Sequence, residues 1–313
     1  MNVDACFREL LSDPHVELRR PSPRLPLADL RAGTAAFMRG AVGPSIASIA
    51  NLNLRIGGGR ELAARRYACT DAPLPGIVFF HGGGFVFGDL DTHDAMCRSL
   101  AAASGAAVIA IDYRRAPEHP FPAALEDGIA AVTALQRDPT AARLRRGALA
   151  LSGESAGGHI AIGAAIAARD AGVGLAHLAL LYPVIEPSCD SASMHAMATG
   201  CLLSRSAMQW YWDCYVPGEA LRRDPRVDLL AANVEGLPST TLIVAGCDPL
   251  RDECEAFGQK LARAGVVADV RRYAGMVHGF AGLPQITPVA EEALAAAGRA
   301  MGRALGTLGA AGV

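Results

Sequence analysis

The sequence almost lacks lysine. Lys260 is the only one among 29 basic residues, and arginine supplies the rest. Acidic residues number 31, leaving a net charge of −2. No overall field of that size gathers nucleic acid or an anionic membrane surface, so neither is an expected partner. The scarcity of lysine beside abundant alanine matches GC-rich coding and carries no function of its own. Cysteine spacing is the next absence. The eight cysteines, at 6, 69, 97, 189, 201, 214, 247 and 254, contain no C-x-x-C pair and no zinc spacing. No metal is therefore expected. A chain of 313 residues, 51% of them hydrophobic, needs no disulfide staples, which favours free thiols in a reducing compartment. Met1 to Arg20 have no basic start followed by an apolar core, so no secretory signal is read there. No segment reaches the roughly 18 uninterrupted apolar residues of a membrane span. The run from Ile160 to Ala168 is too short. The expected location is cytoplasmic.

What is present is an alternation. Residues up to about Ser48 mix short apolar periodicity with prolines 14, 21, 23, 26 and 44, which reads as one or two short helices joined by turns. From Leu52 onward β-type runs appear at Leu52–Ile56, Ala63–Tyr67, Gly76–Phe80, Ala107–Ile111, Ala148–Ser152, Leu178–Tyr182, Thr240–Ala245 and Ala268–Tyr273. Helical patterns lie between them at about Thr92–Ala103, Phe121–Arg137, Ala156–Ala171, Arg251–Ala264 and Pro288–Leu305. Strands alternating with helices predict an α/β protein with a mostly parallel sheet covered on both faces. One interval, Pro183 to about Pro238, breaks the pattern and holds the densest aromatic cluster: Trp210, Tyr211, Trp212 and Tyr215. An insertion at the carboxyl end of a sheet strand is where a lid sits, although the same aromatics can equally anchor the insertion to the body.

The sharpest local signal is Gly153-Glu154-Ser155-Ala156-Gly157-Gly158, between an apolar strand and a small-residue helix. That is the setting of a G-x-S-x-G nucleophile elbow, whose turn is too tight for side chains two residues either side of the serine. A second signal, His81-Gly82-Gly83-Gly84-Phe85, follows the strand Ile77–Phe80. Its glycines let two N–H groups converge and, with the N–H of Ala156, bind a developing oxyanion. The alternative of a phosphate loop fails because no lysine follows the glycines, and no dinucleotide fingerprint opens a helix here. Asp248 follows the strand Thr240–Ala245, and His278 follows the last strand. The order Ser, Asp, His is that of the α/β-hydrolase fold. Asp248 is equally a candidate helix cap, a role expected also of Asp252 or of the second oxygen of Asp248.

With these motifs in place, the sequence resembles the hormone-sensitive-lipase group of bacterial esterases, family IV. The matching stretches are HGGGFVFGD (His81–Asp89), DYRRAPEHPFPAALED (Asp112–Asp127), GESAGGHIA (Gly153–Ala161), DPLRDE (Asp248–Glu253) and GMVHGF (Gly275–Phe280). The resemblance implies an α/β-hydrolase fold with a helical cap, and cofactor-free hydrolysis of carboxylic esters with small to medium acyl groups. It implies a triad of Ser155, Asp248 and His278, with Gly82, Gly83 and Ala156 as oxyanion donors. His81 then braces the glycine loop, while Asp252 and Glu253 steady the loop near the triad. It further implies a cap made of residues 1–48 and an insertion at about 185–225, set on a catalytic domain of residues 49–313. Phe37, Trp210 and Trp212 are the candidates for lining the substrate pocket. The sequence departs from the family at Glu154, where Asp or Thr is more usual; Cys247 beside Asp248 is a second oddity.

The expected enzyme is thus a carboxylesterase acting on a small-molecule ester. An amidase or deacetylase on the same scaffold shares the triad and differs only in its pocket. A non-catalytic ligand-binding homologue is disfavoured, because receptors of this family lose the catalytic histidine and His278 is present. The oligomeric state is left open, a homodimer included.

Overall fold

Strands apolar along their whole length belong at the centre of a covered sheet, and those of this chain lie there. β3 (Gly76–Phe80), β4 (Ala107–Ile111), β5 (Leu149–Glu154) and β7 (Thr240–Cys247) are buried at every residue. With β6 (Leu175–Leu181) and β8 (Ala268–Val277) they pair in parallel. β1 (Ser48–Arg55) and β2 (Glu61–Ala68) add an antiparallel hairpin, β2 pairing antiparallel with β4. The result is an eight-stranded sheet of order β1-β2-β4-β3-β5-β6-β7-β8. Each β-type run of the sequence is one of these strands. β1 starts four residues before the predicted Leu52, because pairing with β2 recruits the mostly exposed stretch from Ser48 to Asn51. The computed structural model describes residues 2–12, 16 and 26–309. The turns expected at Pro14, Pro21 and Pro23 lie outside the described residues.

The two-residue period of a strand splits the core in two. Val78 and Phe80 of β3 face one cluster with helices α4 (Ala123–Arg137), α5 (Ala156–Asp170) and α8 (Arg251–Arg263). Ile77 and Phe79 face the other, with α3 (Asp94–Ser104) and α9 (Val289–Ala304). Of the N-terminal segment, α1 (Ala5–Ser12) buries Phe7 in the second cluster, and the N–H of Asp4 donates to Gly275 O of β8 at 3.0 Å. α2 (Leu27–Met38) buries Leu30 in the first cluster. Its Arg31 donates to Val86 O at 3.0 Å and to both carboxylate oxygens of Glu118. Between β6 and β7 there is no strand, only α6 (Ala192–Ala196), α7 (Arg205–Tyr215), a 3₁₀ turn at Glu219–Arg223 and loops. Ser191 and Ser204 start these helices, their hydroxyls accepting the N–H of Met194 and of Ala207. The loops after β3, β5, β7 and β8 leave the sheet at one edge, where the motif residues gather.

Candidate active site

Ser155 stands between β5 and α5 with φ 53° and ψ −119°. A residue with a Cβ is strained in that region, so the surroundings must hold it there. The close approach of strand and helix does so. A Cβ on Gly153 would come 2.2 Å from Gly157 O, and one on Gly157 would come 2.0 Å from Phe80 O. Only glycine fits either place. The N–H of Ser155 is anchored on Leu181 O at 2.9 Å.

The elbow brings Ser155 Oγ to 2.8 Å from His278 Nε2, and His278 Nδ1 is 2.7 Å from Asp248 Oδ2. These three residues, over a hundred positions apart at the extremes, form one hydrogen-bonded line. Asp248 is fully buried, and its second oxygen accepts the N–H of Leu250 at 2.9 Å, just before α8. Asp248 therefore makes both contacts the sequence offered it. Asp252 caps no N–H of its own helix; it accepts the N–H of Ser193, in the first turn of α6, at 2.7 Å and pairs with Arg251, tying α6 to α8. Burial alone would lower the pKa of His278. The charge and hydrogen bond of Asp248, with the more distant charge of Glu154, outweigh it and raise the pKa above the usual histidine value.

The glycine loop departs from expectation at one residue. The N–H of Gly82 donates to His93 Nε2 at 3.2 Å and is not available to a substrate. Gly83 and Gly84, with φ 114° and 61°, turn toward the cavity instead. Among the described residues, the N–H groups of Gly83, Gly84 and Ala156 have no acceptor. The N–H groups left without a partner around Ser155 are thus those of Gly83, Gly84 and Ala156, whereas that of Gly82 is taken. Gly84 has a second constraint, since a Cβ there would come 2.3 Å from the ring of Tyr211. His81 lies behind the loop. Its Nδ1 donates to Gly82 O at 2.8 Å, its ring stacks on Tyr113 at 4.2 Å, and the Tyr113 hydroxyl donates to His81 O at 2.7 Å. Burial, aided by neighbouring His93, pushes the pKa of His81 down to about 3, so the ring is neutral. Glu253 accepts the N–H of Ile185 at 2.8 Å at the start of the insertion, and burial holds its carboxyl well above the usual range.

Ser155 and His278 open into a cavity of about 200 Å³ with a mainly apolar wall. That is below the roughly 300–1,000 Å³ of sites for drug-sized ligands. Thr34, Phe37 and Met38 of α2 line it, as do Met208 and Tyr211 of α7 and Met96 of α3. Of the aromatic candidates, Phe37 reaches the cavity, whereas Trp210 and Trp212 do not. Trp212 is fully buried against Phe85 and His159, and Trp210 stacks over Phe87. Neighbours on a helix point about 100° apart, so only one of three consecutive aromatics faces a given direction. Here it is Tyr211, and its spacing of three from Met208 is the signal that points to it. His93 also lines the cavity, and no motif singled it out.

Residues 77–282 match the Abhydrolase_3 family, described as alpha/beta hydrolase fold. The carboxylic ester hydrolase LipN of Mycobacterium tuberculosis (strain ATCC 25618 / H37Rv) is 37% identical over 266 residues, which is 82% of this chain and 70% of LipN. The esterase LipI of the same strain is 39% identical over 230 residues, 72% of each chain. The ester-hydrolase EH1AB1 from the metagenome of Lake Arreo, solved with a derivative of bipyridine phosphonate, superposes with a TM-score of 0.90 at 38% identity. That superposition covers 97% of this chain and 99% of EH1AB1. The chain belongs to the α/β-hydrolase family and, like these relatives, is a carboxylesterase. None of its described helices is long and apolar enough to cross a membrane.

Proposed function

We propose that the protein hydrolyses esters with short to medium acyl groups through a Ser155–His278–Asp248 triad and an acyl-enzyme intermediate. The observation that carries this reading is the unbroken line of hydrogen bonds, 2.8 Å from Ser155 Oγ to His278 and 2.7 Å from His278 to Asp248. His278 Nε2 takes the serine proton as Oγ attacks the ester carbonyl. Asp248 keeps the imidazole proton on Nδ1 and stabilises the imidazolium that forms. The negative oxygen develops beside the N–H groups of Gly83, Gly84 and Ala156, which have no other acceptor among the described residues and so are free to bind it. His278 returns its proton to the leaving alkoxide. Water, deprotonated by the same imidazole, then attacks the acyl-enzyme and frees the acid.

The small cavity limits the acyl group. Each buried methylene contributes only ~0.8 kcal/mol, and overpacking costs more, so chains of roughly four to eight carbons should be preferred. α2 and α7 act as the cap, since both supply cavity walls. Cys6, Cys69, Cys97, Cys189, Cys214, Cys247 and Cys254 form no disulfide, which supports a reducing, cytoplasmic setting.

Ser155→Ala tests the mechanism. Folded variant should hydrolyse p-nitrophenyl butyrate ~10⁴–10⁶-fold more slowly than the parent and resist labelling by a phosphonate. Retention of more than about a hundredth of the parent turnover would require another nucleophile.

A further inference from the structure

Two residues left unused by this mechanism, His93 and Glu154, meet at the back of the glycine loop. Both are buried beneath the cavity, His93 just before α3 and Glu154 at the end of β5. Gly82 lies against them. A Cβ at Gly82 would come 1.5 Å from Glu154 Oε2, so the carboxylate occupies the space a side chain would need. On the other side, the N–H of Gly82 points at His93 Nε2 at 3.2 Å.

An amide N–H can only donate, so Nε2 of His93 must be the bare nitrogen and Nδ1 must carry the proton. The partner of Nδ1 fits that assignment. Thr92 Oγ1, 2.9 Å away, also accepts the N–H of Asp89 at 2.8 Å and donates its own proton to Asp89 O at 2.9 Å. A hydroxyl has two acceptor sites and one proton, and here all three are used. Glu154 Oε2, at 3.5 Å from Nε2, is too distant to compete with Gly82. The ring is therefore locked in one tautomer and one orientation, with its acceptor facing the loop.

We propose that His93 is a positioning residue of the oxyanion hole: by fixing the N–H of Gly82 it turns those of Gly83 and Gly84 toward Ser155, with Glu154 bracing the loop from below. His93 acts through the loop and touches no reacting atom in this role. The geometry explains why the first glycine of the motif is not a donor to substrate. The peptide plane that carries this N–H also carries His81 O; held by His93 on one side and by the Tyr113 hydroxyl, which donates to His81 O at 2.7 Å, on the other, it cannot rotate into the cavity. The next plane, which carries the N–H of Gly83, is held by His81, whose Nδ1 donates to Gly82 O at 2.8 Å, and the positive φ of Gly83 directs the plane that carries the N–H of Gly84.

The proposal rests on the triad reading above, and the test keeps the two apart. His93→Phe keeps a ring and removes the acceptor. Its kcat on p-nitrophenyl butyrate should fall about 10- to 100-fold, less than the ~10²–10³-fold lost when a donor itself is removed, with KM within about twofold. Inhibition by a trifluoromethyl ketone, whose adduct with Ser155 places an oxyanion in the hole, should weaken by a similar factor. His93→Gln, which offers an amide oxygen, should recover most of both losses. A merely structural role would lower the melting temperature without separating kcat from KM, and glutamine would not restore inhibitor affinity. Should His93→Phe fail to fold, Thr92→Val serves instead. Freed from Thr92, the imidazole can carry its proton on Nε2, and kcat should fall about three- to tenfold at constant KM. Unchanged kcat and inhibitor affinity in folded His93→Phe, or in Thr92→Val if the first does not fold, overturns the proposal. Full activity of Ser155→Ala would instead sink the triad reading.

Discussion

Replacing Asp248 by asparagine changes one oxygen for nitrogen in a fully buried site and should nearly abolish turnover, for a reason readable from two contacts. One oxygen of Asp248 accepts the N–H of Leu250 at 2.9 Å, and the other faces His278 Nδ1 at 2.7 Å. Asparagine has a single acceptor end. Leu250 can only donate, so the amide oxygen turns to it and the NH₂ turns to His278. The reverse orientation sets two donors face to face without solvent, which costs about 1–3 kcal/mol. Facing an NH₂, Nδ1 must give up its proton, and that proton moves to Nε2, the nitrogen 2.8 Å from Ser155 Oγ. A nitrogen that already carries a proton cannot take another. The orientational preference alone leaves the working tautomer in roughly one molecule in 5 to 150. Losing the charge that stabilises the imidazolium adds to this, for a combined fall in kcat on the order of 10⁴. The Asp248 charge also helps to raise the pKa of His278, so residual activity should extend to lower pH. Initial rates on p-nitrophenyl butyrate from pH 5 to 9 read both effects, and a thermal melt checks that the variant folds. A folded Asp248→Asn enzyme with kcat within about tenfold of the parent would refute this account of the triad.

Three other outcomes are expected. Because the base must be neutral and its pKa is raised, kcat/KM for a non-ionising ester should rise with pH through a midpoint above the ordinary histidine value of ~6.5; a profile flat from pH 5 to 8 contradicts that. Phe37→Ala widens the cavity and should move the preferred acyl chain upward by about two to four carbons, as an ester series from butanoate to dodecanoate would show. An unchanged order of preference places the acyl chain elsewhere. The folded pKa of Glu253 lies above its unfolded value, so the native state binds the extra proton and stability declines as pH rises past the unfolded pKa. Glu253→Gln removes that dependence, and its melting temperature relative to the parent should increase from pH 5 to pH 8. A difference that stays constant or shrinks would show that Glu253 is not held protonated.

Much of this molecule could be read from short stretches of chain. The runs that became β3, β4 and β7 are apolar at consecutive positions, a pattern that only burial on both faces explains. The elbow was equally local, because the collision that demands glycine at 153 and 157 is set by a strand turning directly into a helix. Asp248 and His278 stood out by following strands in a particular order.

What the sequence by itself determined was therefore the elements and the residue types at their ends. Tertiary structure alone decided which way those ends point. An N–H is aimed by the torsions around it and by whatever accepts it. Gly82 has no free N–H beside Ser155 because His93, eleven residues away, accepts its hydrogen bond. A helix pattern fixes the 100° step between neighbours but not the rotation of the helix about its own axis. Trp210, Tyr211 and Trp212 were thus equivalent until packing against Phe85, His159 and Phe87 turned Tyr211 alone toward the cavity. The place of α2 over the site followed in the same way. Its apolar residues require a partner surface, and only the folded body, through Val86 O, Glu118 and the pocket for Leu30, specifies which one.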